Sequence, residues 1–245
     1  METKVFDRVE KKYLITSVQK KKLLKTIKKY MQPDGYHKSE VYNIYFDNDN
    51  YDLIIQSIDH PEFKEKLRAR SYGGYDRVFL EIKTKIKGID ANVGYKRRVM
   101  ITHKDFAELV DGKTTLAELS ARSIENNNDL QIAKEVDYLI SHFNLKPKIL
   151  VYYDRESYKG EDNLRVTFDE NLKYSHQNLS FIKGKRDKIY FKDKRNVIME
   201  VKAHGIIPLW LAEIMSAEKI YPQQFSKIGK VYEKIRKENN VQFNI

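Results

Sequence analysis

No cysteine occurs among the 245 residues. Disulfides and thiolate metal sites are therefore excluded, and a reducing compartment is compatible with the chain. No apolar run approaches the ~20 residues that span a bilayer. The first residues, METKVFDRVEKKY, lack the apolar stretch of a secretory signal. These absences predict a soluble, cytoplasmic protein with no membrane segment of its own. No GxxxxGK(S/T) phosphate loop, zinc-finger spacing or RNA-binding aromatic signature is present. The six histidines are scattered and form no metal pair. Residues 47–52, DNDNYD, lack the glycine and distal glutamate of a calcium loop and read as a turn. No internal repeat or composition break appears, so a single domain over residues 1–245 is expected. That length suffices for a substantial core.

What the chain has is positive charge. Lys and Arg number 46 against 35 Asp and Glu, a net +11. Such an excess favours a polyanionic partner: nucleic acid, nucleotide, polyphosphate or an anionic membrane surface. Seventeen tyrosines and eleven phenylalanines suit strands better than disordered tails.

The densest charge lies in residues 64–85, KEKLRARSYGGYDRVFLEIKTK, which read as two strands joined at Gly73-Gly74. Strand side chains alternate faces. Lys66, Arg68 and Arg70 therefore share one face, as do Glu81, Lys83 and Lys85. Leu67 and Ala69, then Leu80, Ile82 and Ile86, take the opposite faces. Further strands are expected at 5–15, 41–47, 94–102, 149–158, 164–169 and 197–203. A helix capped by Ser17 is expected to reach Met31 with a Lys-rich outer face, and Pro33-Asp34-Gly35 to turn the chain after it. Thr102 to Asp105 reads as a capping box. It opens a helical pattern with Phe106, Leu109 and Val110 inward, which continues to Phe143 and breaks at 125–129. Residues 87–93 read as a flexible loop. Helices at 208–215 and 226–239 close the chain. The result is an α+β fold with eight main strands.

Charge recurs at one phase on successive strands: Lys12, Lys66, Arg68, Arg70, Lys83, Lys96, Arg98, Arg155, Arg165 and Lys202. Only Glu10, Glu81, Asp169 and Glu200 oppose them. An open antiparallel sheet would turn this face to water. Eight strands also suffice to close a barrel with a charged lumen. There the cations would repel one another unless an anion is present. The missing base-recognition signatures argue against nucleic acid as that anion.

At these residues the chain resembles the VTC domain, the polyphosphate polymerase domain of vacuolar transporter chaperone complexes. The resemblance rests on EKKY (10–13), YFDN (45–48), LRARSYG (67–73), LEIKTK (80–85), YKRR (95–98), YDRESY (153–158), LRVTFD (164–169), MEVK (199–202) and FSK (225–227), in this order. That family belongs to the triphosphate tunnel metalloenzymes. It implies an eight-stranded antiparallel closed barrel with a basic lumen and helices packed outside. It implies phosphate ligands at Lys12, Arg68, Arg70, Lys83, Lys96, Arg155 and Arg165, with further contacts from Tyr153, Ser226 and Lys227. Lys66, Arg98 and Lys202 join them by phase. Arg68, Arg70, Lys83 and Glu200 would form the catalytic centre. Glu200 would hold Mn²⁺ or Mg²⁺, with Glu10 as a second metal carboxylate. The implied substrates are ATP and inorganic polyphosphate, and export of product would need a membrane partner protein.

One position separates chemistries within that superfamily. Its hydrolytic members resemble ExExK on the first strand, whereas this chain reads Arg8-Val9-Glu10-Lys11-Lys12. A cation in place of the first glutamate removes a metal ligand and an orienting group for water. The expected activity is therefore transfer of the ATP γ-phosphoryl group to a growing chain. A triphosphatase or short-chain polyphosphatase, and a non-catalytic polyphosphate or inositol-phosphate binding module, are the alternatives.

Overall fold

A computed structural model describes residues 8–59, 62–73, 75–88, 92–122, 127–181, 187–191 and 196–242. In chain order the elements are β1 (Arg8–Ile15), α1 (Ser17–Tyr30), β2 (Gln32–Asp47), α2 (Asp52–Ile58), β3 (Phe63–Tyr72), β4 (Val78–Lys87), β5 (Asn92–Ile101), α3 (His103–Val110), α4 (Leu116–Arg122), α5 (Asn127–His142), β6 (Lys146–Lys159), β7 (Arg165–Ser175), β8 (Lys188–Ile189), β9 (Val197–His204), α6 (Leu209–Ala217) and α7 (Lys227–Gln242). Hydrogen-bonded strand order is β1-β9-β7-β6-β2-β3-β4-β5, with β8 on β7. The β1–β9, β7–β9, β2–β3, β3–β4 and β4–β5 ladders are antiparallel. Among the described residues no ladder joins β1 to β5, so the pairing itself does not close the sheet.

The chain divides into two compact units. The first takes Met1–Glu40, Tyr153–Lys173 and Ile189–Ser226; the second takes Val41–Tyr152, Tyr174–Lys188 and Lys227–Ile245. β2 and β6 each run through both.

Each unit has its own core, made by the strand faces opposite the charges. In the second, Ile44, Leu67, Leu80 and Ile82 are fully buried and pack with Phe106, Leu116, Val136 and Leu139 of the helices. In the first, Ile15, Leu23, Ile27, Val166, Phe168 and Met199 do the same with Leu211. Burying one such side chain is worth ~1.5–3 kcal/mol. This packing leaves the opposite faces of the main strands to the charged groups, with Val41, Val151 and Ile198 buried among them.

Local signals place the helices, with corrections. Thr16, not Ser17, caps α1: its hydroxyl accepts from Gln19 N–H at 3.1 Å and Gln19 Oε1 accepts from Thr16 N–H at 2.9 Å. Glutamine three residues after threonine completes a capping box that Ser17 could not make. Pro33-Asp34-Gly35 does not turn; it lies inside β2 near the strand start, where a missing N–H is tolerated. Thr102 and Asp105 form the expected box, but Val110 is exposed and only Phe106 of that helix is buried. Among the described residues the helical pattern expected to run to Phe143 splits into α3, α4 and α5, and Phe143 is exposed beyond the last. Part of the 125–129 break and of the 87–93 loop lies outside the described residues, as does Gly74. Residues 47–52 do turn: the buried Asp47 carboxylate accepts from the N–H groups of Asn48, Leu53 and Ile54 and starts α2.

Candidate functional site: two charged sheet faces

In the second unit, register aligns the cations in rows. Tyr45 faces Arg68, Arg68 faces Glu81, and Glu81 faces Arg98. One step along, Lys66 faces Lys83, which faces Lys96. One step the other way, Asn43 faces Arg70, which faces Phe79. Six expected phosphate ligands thus share one face: Lys66, Arg68, Arg70, Lys83, Lys96 and Arg98. Among the described residues in register with them, Glu81 is the one carboxylate.

Glu81 is fully buried and serves three cations. Arg68 donates to its Oε2 from Nε at 2.8 Å and Nη2 at 2.7 Å, Lys96 Nζ lies 2.5 Å from Oε1, and Arg70 Nε is 3.8 Å away. Burial alone would raise this carboxyl; Arg68, Arg70 and Lys96 outweigh it and pull it down to about 2. Arg68, Arg70 and Lys96 thus share this one carboxylate. Lys96 is held below its usual range by burial and by Arg70 and Arg68, against the pull of Glu81. Tyr45 reports the same field. Burial would raise its phenol, yet Arg68, Lys66 and Arg70 draw it down to about 8. Arg70 is positioned by Asn43, whose Oδ1 accepts from Nε at 2.8 Å. Arg98 lies over the Phe79 ring at 4.7 Å.

In the first unit the balance differs. Lys12 faces Glu200, which faces Thr167; Glu10 faces Lys202, which faces Arg165. Arg155 donates to Asp169 from Nε at 2.7 Å and Nη2 at 2.8 Å, and its Nη2 reaches the Tyr153 hydroxyl at 3.5 Å. Burial opposes the Arg155 charge, but Tyr153, Asp169 and Glu200 raise its affinity for the proton. Arg165 pairs with Asp34 at 2.9 Å. Lys12 lies 3.4 Å from Glu10. The cations Lys12, Arg155, Arg165 and Lys202 are therefore matched by Glu10, Asp34, Asp169 and Glu200. Arg165 Nε and Thr167 Oγ1 are buried without a hydrogen-bond partner. A buried orphan costs ~1–3 kcal/mol.

The two carboxylates expected to hold metal, Glu10 and Glu200, contact one ammonium. Lys202 Nζ sits 2.9 Å from Glu200 and 3.3 Å from Glu10. An ammonium thus stands where two carboxylates can hold a cation, and hard oxygen donors suit Mg²⁺ or Mn²⁺. Among the described residues no three His, Cys, Asp or Glu gather, so ligand oxygens would have to complete the shell. Ser226 ends the first unit and Lys227 opens α7. The segment before them docks on β1, where Gln223 N–H donates to the Lys12 carbonyl at 2.7 Å.

The VTC domain family model matches residues 7–235. The chain belongs to the VTC domain family. Vacuolar transporter chaperone complex subunit 4 of Schizosaccharomyces pombe is 28% identical to it over 142 residues, 53% of this chain and 20% of that protein. The Trypanosoma brucei brucei subunit 4 is 24% identical over 155 residues, 55% of this chain and again 20% of that protein. The match to this VTC domain thus spans about a fifth of each relative's length. Among solved structures, the putative adenylyl cyclase HpAC1 from Hippeastrum, described as having a dominant triphosphatase activity, superposes with a TM-score of 0.53 at 13% identity over 90% of this chain and 92% of that one. At that identity the likeness concerns the fold alone.

Three residues of this VTC domain's charged faces were not singled out from sequence. Asn43 and Tyr45 were legible in principle, because the alternation of YNIYFD puts them at one phase. Asp34 was not, because its role depends on Arg165, far along the chain.

Proposed function

We propose that this VTC domain is a metal-dependent polyphosphate polymerase that transfers the γ-phosphoryl group of ATP to a growing inorganic polyphosphate chain. The observation that carries it is the charge imbalance on β3, β4 and β5: six cations aligned with one buried carboxylate. Phosphoryl transfer needs positioning and charge neutralisation more than covalent help. In this reading each of the two charged faces binds phosphate groups. Arg68 and Arg70 bind phosphate oxygens through their planar guanidinium forks, and Lys83 supplies a point charge. Lys12, Lys66, Lys96, Arg98, Tyr153, Arg155, Arg165, Lys202, Ser226 and Lys227 hold the remaining phosphates. The terminal oxygen of the acceptor chain attacks the γ-phosphorus, the bond to the β-phosphate oxygen breaks, and ADP leaves. A deprotonated terminal phosphate is already a nucleophile once its charge is offset, so no general base is needed. Glu200 and Glu10 would hold a divalent ion, Mn²⁺ or Mg²⁺, which neutralises phosphate charge when bound. Arg8, in place of an acid on β1, removes a group that would orient water. The domain would act in the cytoplasm and hand its product to a membrane partner.

Purified protein with ATP and Mn²⁺ tests this. Chains longer than triphosphate, with ADP released, are expected. Free phosphate without longer chains sinks the polymerase. The second reading, a triphosphatase, is favoured by the meeting of Glu10 and Glu200 at Lys202 and predicts repeated turnover of triphosphate. Tight polyphosphate binding that survives Glu200→Ala, with no turnover, would mark a binding module instead.

A further inference from the structure

Beyond the Arg68 row, in the direction away from the Gly73 turn, the sheet face of the second unit places lysine against lysine. Lys66 is in register with Lys83 and Lys83 with Lys96; one step further, Lys64 is in register with Lys85. Like charges directly opposite destabilise an antiparallel pair, and an acid at either position would reverse the sign. Lys64 shows the effect: burial and Lys85 hold its ammonium below the usual range. Its Nζ donates to the Ser57 carbonyl at 3.2 Å, which fixes it beside the pair. Lys85 and Lys87 are exposed on β4. Lys64 lies four residues from Arg68, ~13 Å along the strand. That is further than a triphosphate seated on Arg68 and Arg70 reaches.

We infer that Lys64 and Lys85 extend the anion site and take phosphates of a polyphosphate chain beyond those held at Arg68 and Arg70, so that the chain runs along β3 towards Phe63. The extension rests on the polyphosphate reading above. It adds residues and a direction to that reading, and it makes the site selective for chain length. A triphosphate engages the Arg68 and Arg70 rows only; a long chain gains the lysine row as well.

The test compares Lys64→Ala/Lys85→Ala with wild type, by calorimetric titration of long-chain polyphosphate and of inorganic tripolyphosphate. Lys64→Gln/Lys85→Gln replaces it should the alanines destabilise the hairpin. Losing two charge contacts, one at exposed Lys85 and one at half-buried Lys64, is expected to cost about tenfold in affinity for the long chain, and less than about twofold for tripolyphosphate. Lys25→Ala/Lys28→Ala, which removes two exposed charges from α1, controls for net charge and is expected to leave the ratio alone. Equal losses for both ligands, no loss for either, or the same loss in the α1 control overturns the extension while leaving the polyphosphate reading intact. Single-stranded DNA that binds as tightly and responds as strongly overturns it too, because the row is then a general polyanion surface. Wild type that binds neither phosphate ligand overturns both readings together.

Discussion

Replacing Glu81 with glutamine keeps the side chain's shape and removes its charge. The carboxylate is buried and holds Arg68 at 2.7 Å and Lys96 at 2.5 Å, with Arg70 at 3.8 Å. Its fall from 4.5 to about 2 corresponds to roughly 3 kcal/mol of preference for the ionised form in the folded state. Removing one partner of a buried ion pair typically costs ~3–5 kcal/mol. Lys96 is partly exposed and its share is screened, so we expect a loss of about 3 kcal/mol at neutral pH. The sign of the pH dependence follows from the lowered carboxyl. Its contribution is present above 4.5 and is lost as pH falls from 4.5 towards about 2. The gap between wild type and Glu81→Gln should therefore close across that window. Urea unfolding followed by circular dichroism, at neutral pH and at steps down to pH 3, measures it. Because three cations then lack their carboxylate, tripolyphosphate should stabilise the variant more than wild type. A loss below about 1 kcal/mol, or one that does not shrink below 4.5, would refute the reasoning.

Three further perturbations address the site. Arg70→Ala should lower affinity for tripolyphosphate at least about tenfold while costing only ~1–2 kcal/mol of stability, chiefly from the Asn43 oxygen left without its donor; an unfolded variant with binding intact contradicts the assignment. The Tyr45 phenol, drawn to about 8 by Arg68, Lys66 and Arg70 against burial, should appear as a phenolate transition near that pH in the ultraviolet difference between wild type and Tyr45→Phe. Saturating tripolyphosphate offsets those cations and should move it upward; a transition that stays put means the anion sits elsewhere. Glu200→Gln should weaken Mn²⁺ binding, read by electron paramagnetic resonance with tripolyphosphate present, by about tenfold or more, and equal binding by both proteins would remove Glu200 from the metal site.

The charged faces were legible because a strand's period is two and needs only local sequence. Lys66, Arg68 and Arg70 stand where that period puts them, and Leu67 and Ala69 are buried behind them. Capping boxes are equally local, and the Thr102 box was readable; Thr16 was missed although Gln19 signals it. What sequence concealed depends on distant partners. Pro33 and Gly35 look like a turn until β2 is extended through them. Asp34 acquires its role from Arg165, and Asp47 shapes α2 through amides six and seven residues on. The sharing of one buried Glu81 among three cations follows from register across β3, β4 and β5, which no single strand encodes.

The central claim is that the γ-phosphoryl group passes to a phosphate chain and not to water. Running the reaction with ATP, Mn²⁺ and a short polyphosphate primer in heavy-oxygen water, then analysing products by mass spectrometry, reads that choice directly. The account predicts longer chains, one ADP for each phosphate added, and no heavy oxygen in any product. Heavy oxygen in free phosphate, with primer length unchanged, would contradict it.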